Sequence, residues 1–195
     1  MIIKNKGTGA GGSNTNLHGI RFEEDTYLKD WIIKAGFTLE PIKQSTLRSE
    51  LYKIFEGDKL MAYYGRQGQI YHALKLHNLD QFSNEHISKV LSKKINPDGF
   101  ILCLARNHLT IFEKKWQQTS GSVDEKIQTG PFKLLMFEKL LRNSGISCQY
   151  NYILSPWFQS KVYRNVKEYY EDNKKINIWV DGVNLQDLSI ENYIK

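Results

Sequence analysis

Apolar and polar positions alternate between two rhythms along this chain, and the switches between them mark its elements. From Arg21, the residues Phe22, Leu28, Trp31, Ile32 and Ala35 share a broad face at helical spacing, with Gly36 as a stop. Phe37 to Ile42 reads as a strand. Leu51–Phe55 and Leu60–Tyr64 flank Glu56-Gly57-Asp58-Lys59, the pattern of a hairpin. The stretch YGRQGQIYHAL that follows has no clear period. Ile87, Val90, Leu91 and Ile95 return to helical spacing after the candidate cap Ser83, and this helix would carry Lys89, Lys93 and Lys94. Phe100–Ala105 and Leu109–Gln117 are predicted strands joined by a turn at Arg106-Asn107-His108. A short helix over 122–128 leads to Pro131 and a helix over Phe132–Asn143. That helix is apolar around much of its circumference and is therefore expected to be well buried, ending at Gly145. Ser147–Leu154 is a strand. Val162, Val166, Tyr169 and Tyr170 mark an amphipathic helix, and Ile176–Val180 a final strand, with Tyr169, Tyr170 and Trp179 expected at the core or its edge.

Helices and strands interleave without a linker or an internal repeat. The expected class is therefore α/β, with a central mixed sheet flanked by helices. Residues 21–195 form one domain on this reading, and the glycine- and asparagine-rich residues 1–20 a flexible arm. The 195 residues can bury a proper core, and 41% hydrophobic with 25% charged residues is ordinary for a soluble globular protein. The longest apolar run, Phe100–Ala105, is far too short to span a membrane, and MIIKNKG lacks the apolar stretch of a secretory signal. Cys103 and Cys148 have neither metal-site nor disulfide-framework spacing and sit in apolar stretches, which suits a reducing cytoplasm. A net charge of +6 and a pI near 9.1 favour an anionic partner, nucleic acid or an acidic surface.

The chemistry concentrates in INPDGFILCLARNHLTIFEKKWQ, residues 95–117. Asp98 heads one strand and Glu113 lies toward the end of its hairpin partner. Adjacent strands run about 5 Å apart, so the two carboxylates can converge on one hard cation. Glu113, Lys115 and Gln117 share one face and Phe112 and Trp116 the other, which suggests a working face and a packing face. Hydrolysis of a phosphodiester needs charge neutralised at phosphorus and a hydroxide-like nucleophile. Magnesium takes carboxylate oxygens in near-octahedral geometry and can serve both needs. Lys115 can orient the water, assist its deprotonation or stabilise developing charge. Glu-x-Lys alone is more often a solvated strand face, and Pro-Asp alone a turn. Charged groups inside an apolar strand, however, are costly unless paired or bound to metal.

Pro97-Asp98 followed by Glu113-Lys114-Lys115 resembles the PD-(D/E)XK nuclease signature. The continuation KWQQTSGSVDEKI, residues 115–127, is similar to type II restriction endonucleases of that superfamily. The resemblance implies the restriction-endonuclease core, magnesium as cofactor, and a homodimer acting on both strands of duplex DNA. It also implies a supporting glutamate on the first core helix, for which Glu23 is the candidate metal ligand and Glu24 its neighbour. Asp98, Glu113 and Lys115 become the candidate catalytic residues, Asp98 and Glu113 the metal ligands, and Gln117 a supporting group.

DNA contacts are assigned on chemistry alone. Ser13, Asn14, Thr15 and Asn16 follow a glycine stretch whose amides can approach a phosphate backbone. Arg66, Gln67 and Gln69 suit base edges. Gln118, Thr119 and Ser120 follow the active strand, and Lys126 can meet a phosphate. Gly7, Gly9 and Gly12 satisfy G-x-G-x-x-G but lack the preceding strand and following helix of a dinucleotide site, so no nucleotide cofactor is expected. None of the five histidines has zinc-ligand spacing with cysteine. Three further readings compete with a restriction enzyme: a repair or junction-resolving nuclease, a non-catalytic basic DNA-binding module, and, remotely, a dinucleotide enzyme.

Overall fold

The computed structural model describes residues 19, 21–22, 24–43, 50–118 and 123–195. Within them the elements run α1 (Leu28–Lys34), β1 (Thr38–Pro41), β2 (Leu51–Glu56), β3 (Lys59–Gly65), α2 (Gln69–His77), α3 (Asn84–Val90), β4 (Gly99–Cys103), β5 (His108–Lys115), α4 (Val123–Lys126), α5 (Gly130–Leu140), β6 (Ser147–Leu154), α6 (Arg164–Asp172) and β7 (Ile176–Val180). The seven strands form one sheet in sequential order. β1 to β5 pair antiparallel, and β5, β6 and β7 run parallel. The connections follow from that change. The β2–β3 pair is joined by a tight turn at Gly57-Asp58, where Gly57 has φ 58°, and β4–β5 by a short turn, whereas antiparallel β3 and β4 are separated by α2 and α3, and the parallel pairs need the crossovers that carry α5 and α6.

Each face of the sheet packs its own cluster. One cluster joins Leu109, Ile111, Tyr150, Tyr152 and Leu154 to Ile70, Tyr71 and Leu74 of α2, Ile87 of α3, Leu134, Phe137 and Leu140 of α5, and Tyr170 of α6. The other joins Phe112, Ile153, Tyr64 and Ile101 to Phe22, Leu28 and Ile32 and to the C-terminal Ile190, Tyr193 and Ile194. This is the mixed sheet with flanking helices that the periodicity predicts. Both β4 and most of β5 are buried on both faces, as interior strands of such a sheet must be.

Several boundaries and burials differ from the sequence expectations. α3 is capped by Ser83, whose Oγ accepts from the His86 amide at 3.2 Å, but it ends at Val90, with Leu91 extended. Lys93 and Lys94 therefore lie beyond the helix. α5 stops at Leu140 rather than Asn143, and it is not buried all round: Phe132 is 62% and Leu135 47% exposed. Tyr169 is 54% exposed and lies outside the core, whereas Tyr170 is buried. The loosely patterned stretch after β3 resolves into α2. Cys103 and Cys148 are free and buried, as small hydrophobes. Among the described residues no helix is long and apolar enough to cross a membrane.

Candidate active site

β5 lies between antiparallel β4 and parallel β6, and the candidate site forms where all three meet. Gly99 of β4 pairs with Phe112 of β5, which sets Asp98 beside the following residues of β5. The Lys114 amide donates to Asp98 Oδ2 at 2.8 Å. Glu113, on the opposite face from Phe112, pairs in register with Tyr152 of β6. The Lys115 ammonium lies 2.7 Å from Glu113 Oε1 and 3.6 Å from Asp98 Oδ2, so one cationic group reaches both carboxylates. It also donates to the Lys114 carbonyl at 2.9 Å.

Glu113 is only 6% exposed, and its partners explain how a carboxylate can sit there. Besides Lys115, Lys133 of α5 donates to Oε1 at 2.7 Å, and the Tyr150 hydroxyl donates to Oε2 at 3.2 Å. Burial acts to raise the Glu113 carboxyl, but the charge and hydrogen bond of Lys115, joined by those of Lys133, outweigh it and hold the group below its ordinary value. The Tyr150 phenol is pushed well up, first by burial and then by the Glu113 charge, and so stays a neutral donor.

Neither Lys133 nor Tyr150 was foreseen from the sequence. Lys133 stands one turn before Phe137 and two before Leu140, so it continues the buried stripe of α5 as a cation. That misplaced polar residue was the available signal, and reading the helix as apolar all round hid it. A lysine in the first turn also opposes the helix dipole, a disadvantage that Glu113 offsets. Gly130 lets the helix begin close enough. A Cβ there would lie 2.8 Å from Tyr152 Cε2 and 3.1 Å from the Tyr170 hydroxyl.

Other expected residues fall variously. Gln117 is buried just beyond β5, and Ser155 holds its backbone, accepting from the Gln117 amide at 3.1 Å and donating to its carbonyl at 2.9 Å. The division into a working face and a packing face needs correction. Phe112 and Trp116 do pack together against the second cluster, but the Glu113 face carries the first cluster, and the charged groups occupy only its end. Trp116 is part-buried, its ring 5.4 Å from that of Phe22. Gln69 is 1% exposed, in the first turn of α2, so its amide does not face a base edge. Arg66 is part-buried, while Gln67, Gln118 and Lys126 are exposed. Glu24 is exposed. Glu23, Ser13, Asn14, Thr15, Asn16, Thr119, Ser120 and the three glycines of the G-x-G-x-x-G match lie outside the described residues.

The donor set suits a hard divalent cation. Asp98 and Glu113 offer carboxylate oxygens that one ammonium already bridges, and magnesium commonly takes one or two protein carboxylates and completes its shell with water and phosphate. Among the described residues no group of three His, Cys, Asp or Glu side chains is placed to hold a metal. A family model described as a PD-(D/E)XK nuclease superfamily domain matches residues 34–182. The chain belongs to that superfamily. The match covers every strand and α2 to α6, and it makes this PD-(D/E)XK protein a nuclease of a group that works with divalent metals. Comparison of the nuclease with curated proteins and with solved structures gave no match.

Proposed function

We propose that this nuclease is a magnesium-dependent, site-specific endonuclease of the type II restriction kind that hydrolyses double-stranded DNA. One observation carries the reading: Asp98, Glu113 and Lys115 converge at the end of interior strands, with a single ammonium between two carboxylates. In this reading Asp98 and Glu113 hold the metal, with Glu23 as a further ligand. When bound, the cation supplies charge neutralisation at the scissile phosphate and acidifies the attacking water.

The chain's own residues do the rest. Glu113, held below the ordinary carboxyl value by its two lysines, offers a negative oxygen to the cation. Lys115, already donating at this point, turns toward the phosphate and nucleophile as substrate enters. Lys133 keeps Glu113 in place from the helix side, and Tyr150 fixes the other carboxylate oxygen. Arg66, Gln67, Gln118 and Lys126 contact the duplex near this point, with Ser13, Asn14, Asn16, Thr119 and Ser120 as further contacts and Gln117 supporting the active strand. A twofold-symmetric target calls for two such sites, hence a homodimer, working in a reducing cytoplasm.

Digestion of a sequenced plasmid by the purified chain, with magnesium or with chelator, tests the proposal. Discrete magnesium-dependent bands are expected. An intact plasmid alongside cleavage of branched DNA would replace the restriction reading with that of a junction-resolving enzyme. Binding of DNA without cleavage of either substrate would refute the catalytic assignment.

A further inference from the structure

Asp98 is not held by a strand of its own. It ends an irregular segment, and β4 begins only at Gly99. Its side chain is tied to β5 through the Lys114 amide, but that bond does not fix the backbone from which the side chain springs. Residues 66–71, the turn between β3 and α2 together with the first residues of α2, do so. The Gln67 amide donates to the Pro97 carbonyl at 2.8 Å, and the Arg66 Nε reaches the Asp98 carbonyl at 3.4 Å. Deeper in, the Tyr71 hydroxyl donates to the Ile95 carbonyl at 2.8 Å and accepts from the Ile95 amide at 2.7 Å. One hydroxyl thus satisfies both backbone groups of a single residue, three positions before Asp98.

Two features show that this turn is shaped for the contact. Gln67 takes φ 51°, a left-handed conformation that a non-glycine residue adopts at a cost, and from there its amide meets Pro97. Tyr71 is 3% exposed and anchored in α2 beside Ile70, Ala73 and Leu74, so its hydroxyl is presented from a rigid wall. Arg66 is steadied as well, its guanidinium over the Tyr27 ring at 5.6 Å, while the Tyr27 hydroxyl donates to Glu50.

We propose that segment 66–71, the turn and the start of α2, is a brace that sets the position of Asp98, with Tyr71 as its principal positioning residue. This assigns to Arg66 and Gln67 a role beyond touching DNA, and it rests on the reading of Asp98 as a metal ligand. Groups that orient a ligand from behind typically change metal affinity about 10–100-fold when removed.

The test is manganese binding to the full chain, followed by the electron paramagnetic resonance signal of free Mn²⁺, with thermal unfolding recorded for each variant. Tyr71→Phe is expected to weaken binding about tenfold and Arg66→Ala by a smaller factor. Ile54→Val, a fully buried change on the opposite face, should lower stability and leave the affinity at the parent value. Tyr71→Phe binding manganese as the parent does would overturn the brace and leave the nuclease reading standing. If Tyr71→Phe does not fold, parent-like affinity in Arg66→Ala overturns it instead. A parent chain that binds no manganese would remove the metal reading, and the brace with it.

Discussion

The two ends of β5 are both polar, yet they treat charge in opposite ways. At the C-terminal end, Glu113 and Asp98 meet Lys115 and Lys133, and opposite charges neutralise one another in a part-buried setting. At the N-terminal end, Arg106, His108, Lys174 and Lys175 border a shallow cleft, and among the described residues no carboxylate lines it. There Lys175 pairs outward with Glu138 at 2.6 Å, and burial followed by the Arg106 charge lowers the His108 imidazole, which hydrogen-bonds Ser147. The C-terminal end neutralises its charges within the site, whereas the N-terminal end leaves cations along the cleft and its imidazole resists a further charge. The paired end brings carboxylates and ammonium groups together, the mixture that a cation and a phosphate can take over.

The sharpest way to break this contrast is to neutralise the paired end. Asp98→Asn, Glu113→Gln and Lys115→Ala are each expected to reduce magnesium-dependent cleavage on the order of a thousandfold. Their stabilities should diverge, because the Asp98 side chain is 40% exposed and that of Glu113 7%. Glu113→Gln leaves two ammonium groups without their shared counter-charge and should cost roughly 1–3 kcal/mol, whereas Asp98→Asn should stay within about 0.5 kcal/mol of the parent. Denaturant titration of both checks this, and equal losses would mean that the two carboxylates do not differ in setting as described.

Next in size is Lys133→Ala, expected to lower cleavage roughly 10–100-fold, with Lys133→Arg recovering part of it. Single-turnover kinetics would separate this from a binding defect. Cleavage at the parent rate would show that Lys115 alone keeps Glu113 ionised and in place.

What could be read in advance follows the range of the contacts. Asp98, Glu113 and Lys115 belong to one hairpin, so spacing and period two were enough to bring them together. Lys133 and Tyr150 reach Glu113 only because a parallel strand and its crossover helix close over β5, a pairing that local pattern does not specify. Gln69 departs from its sequence expectation for a related reason. The stretch YGRQGQIYHAL has no clear period, so its pattern does not predict that α2 starts at Gln69 and turns it inward. Ile95 keeps the helical period past Lys93 and Lys94, although the backbone turns extended at Leu91. Seven strands and their order of appearance were visible; the sequential sheet order and the switch to parallel pairing after β5 were not.

Trp116 sharpens the picture of the C-terminal end from its other face. Phe112 is fully buried with its ring edge-on to Tyr193 at 5.4 Å, while Trp116 is only part-buried. Trp116→Ala should therefore cost about 1–2 kcal/mol, less than full burial of an aromatic ring would imply. Calorimetry on the variant decides this, and a loss well above that range would place the ring deeper than its exposure indicates.

The smallest effect is expected at the opposite end. His108 is lowered in the fold, so as pH falls through the ordinary histidine range, about 6.5, the unfolded chain takes up a proton while the folded chain still resists. The unfolded state then binds more protons, and stability falls with decreasing pH from that point until the folded imidazole is also charged. Above that range the residue is neutral in both states and contributes no slope. His108→Gln keeps a polar partner for Ser147 and removes the proton, so its stability should fall less than the parent's between pH 7.5 and pH 5.5 (both on the order of one unit from the ordinary value). Paired denaturant titrations at the two pH values measure the difference. Identical slopes in parent and variant would mean that the N-terminal end of β5 tolerates a further positive charge, and the contrast between its two ends would then rest on the carboxylates alone.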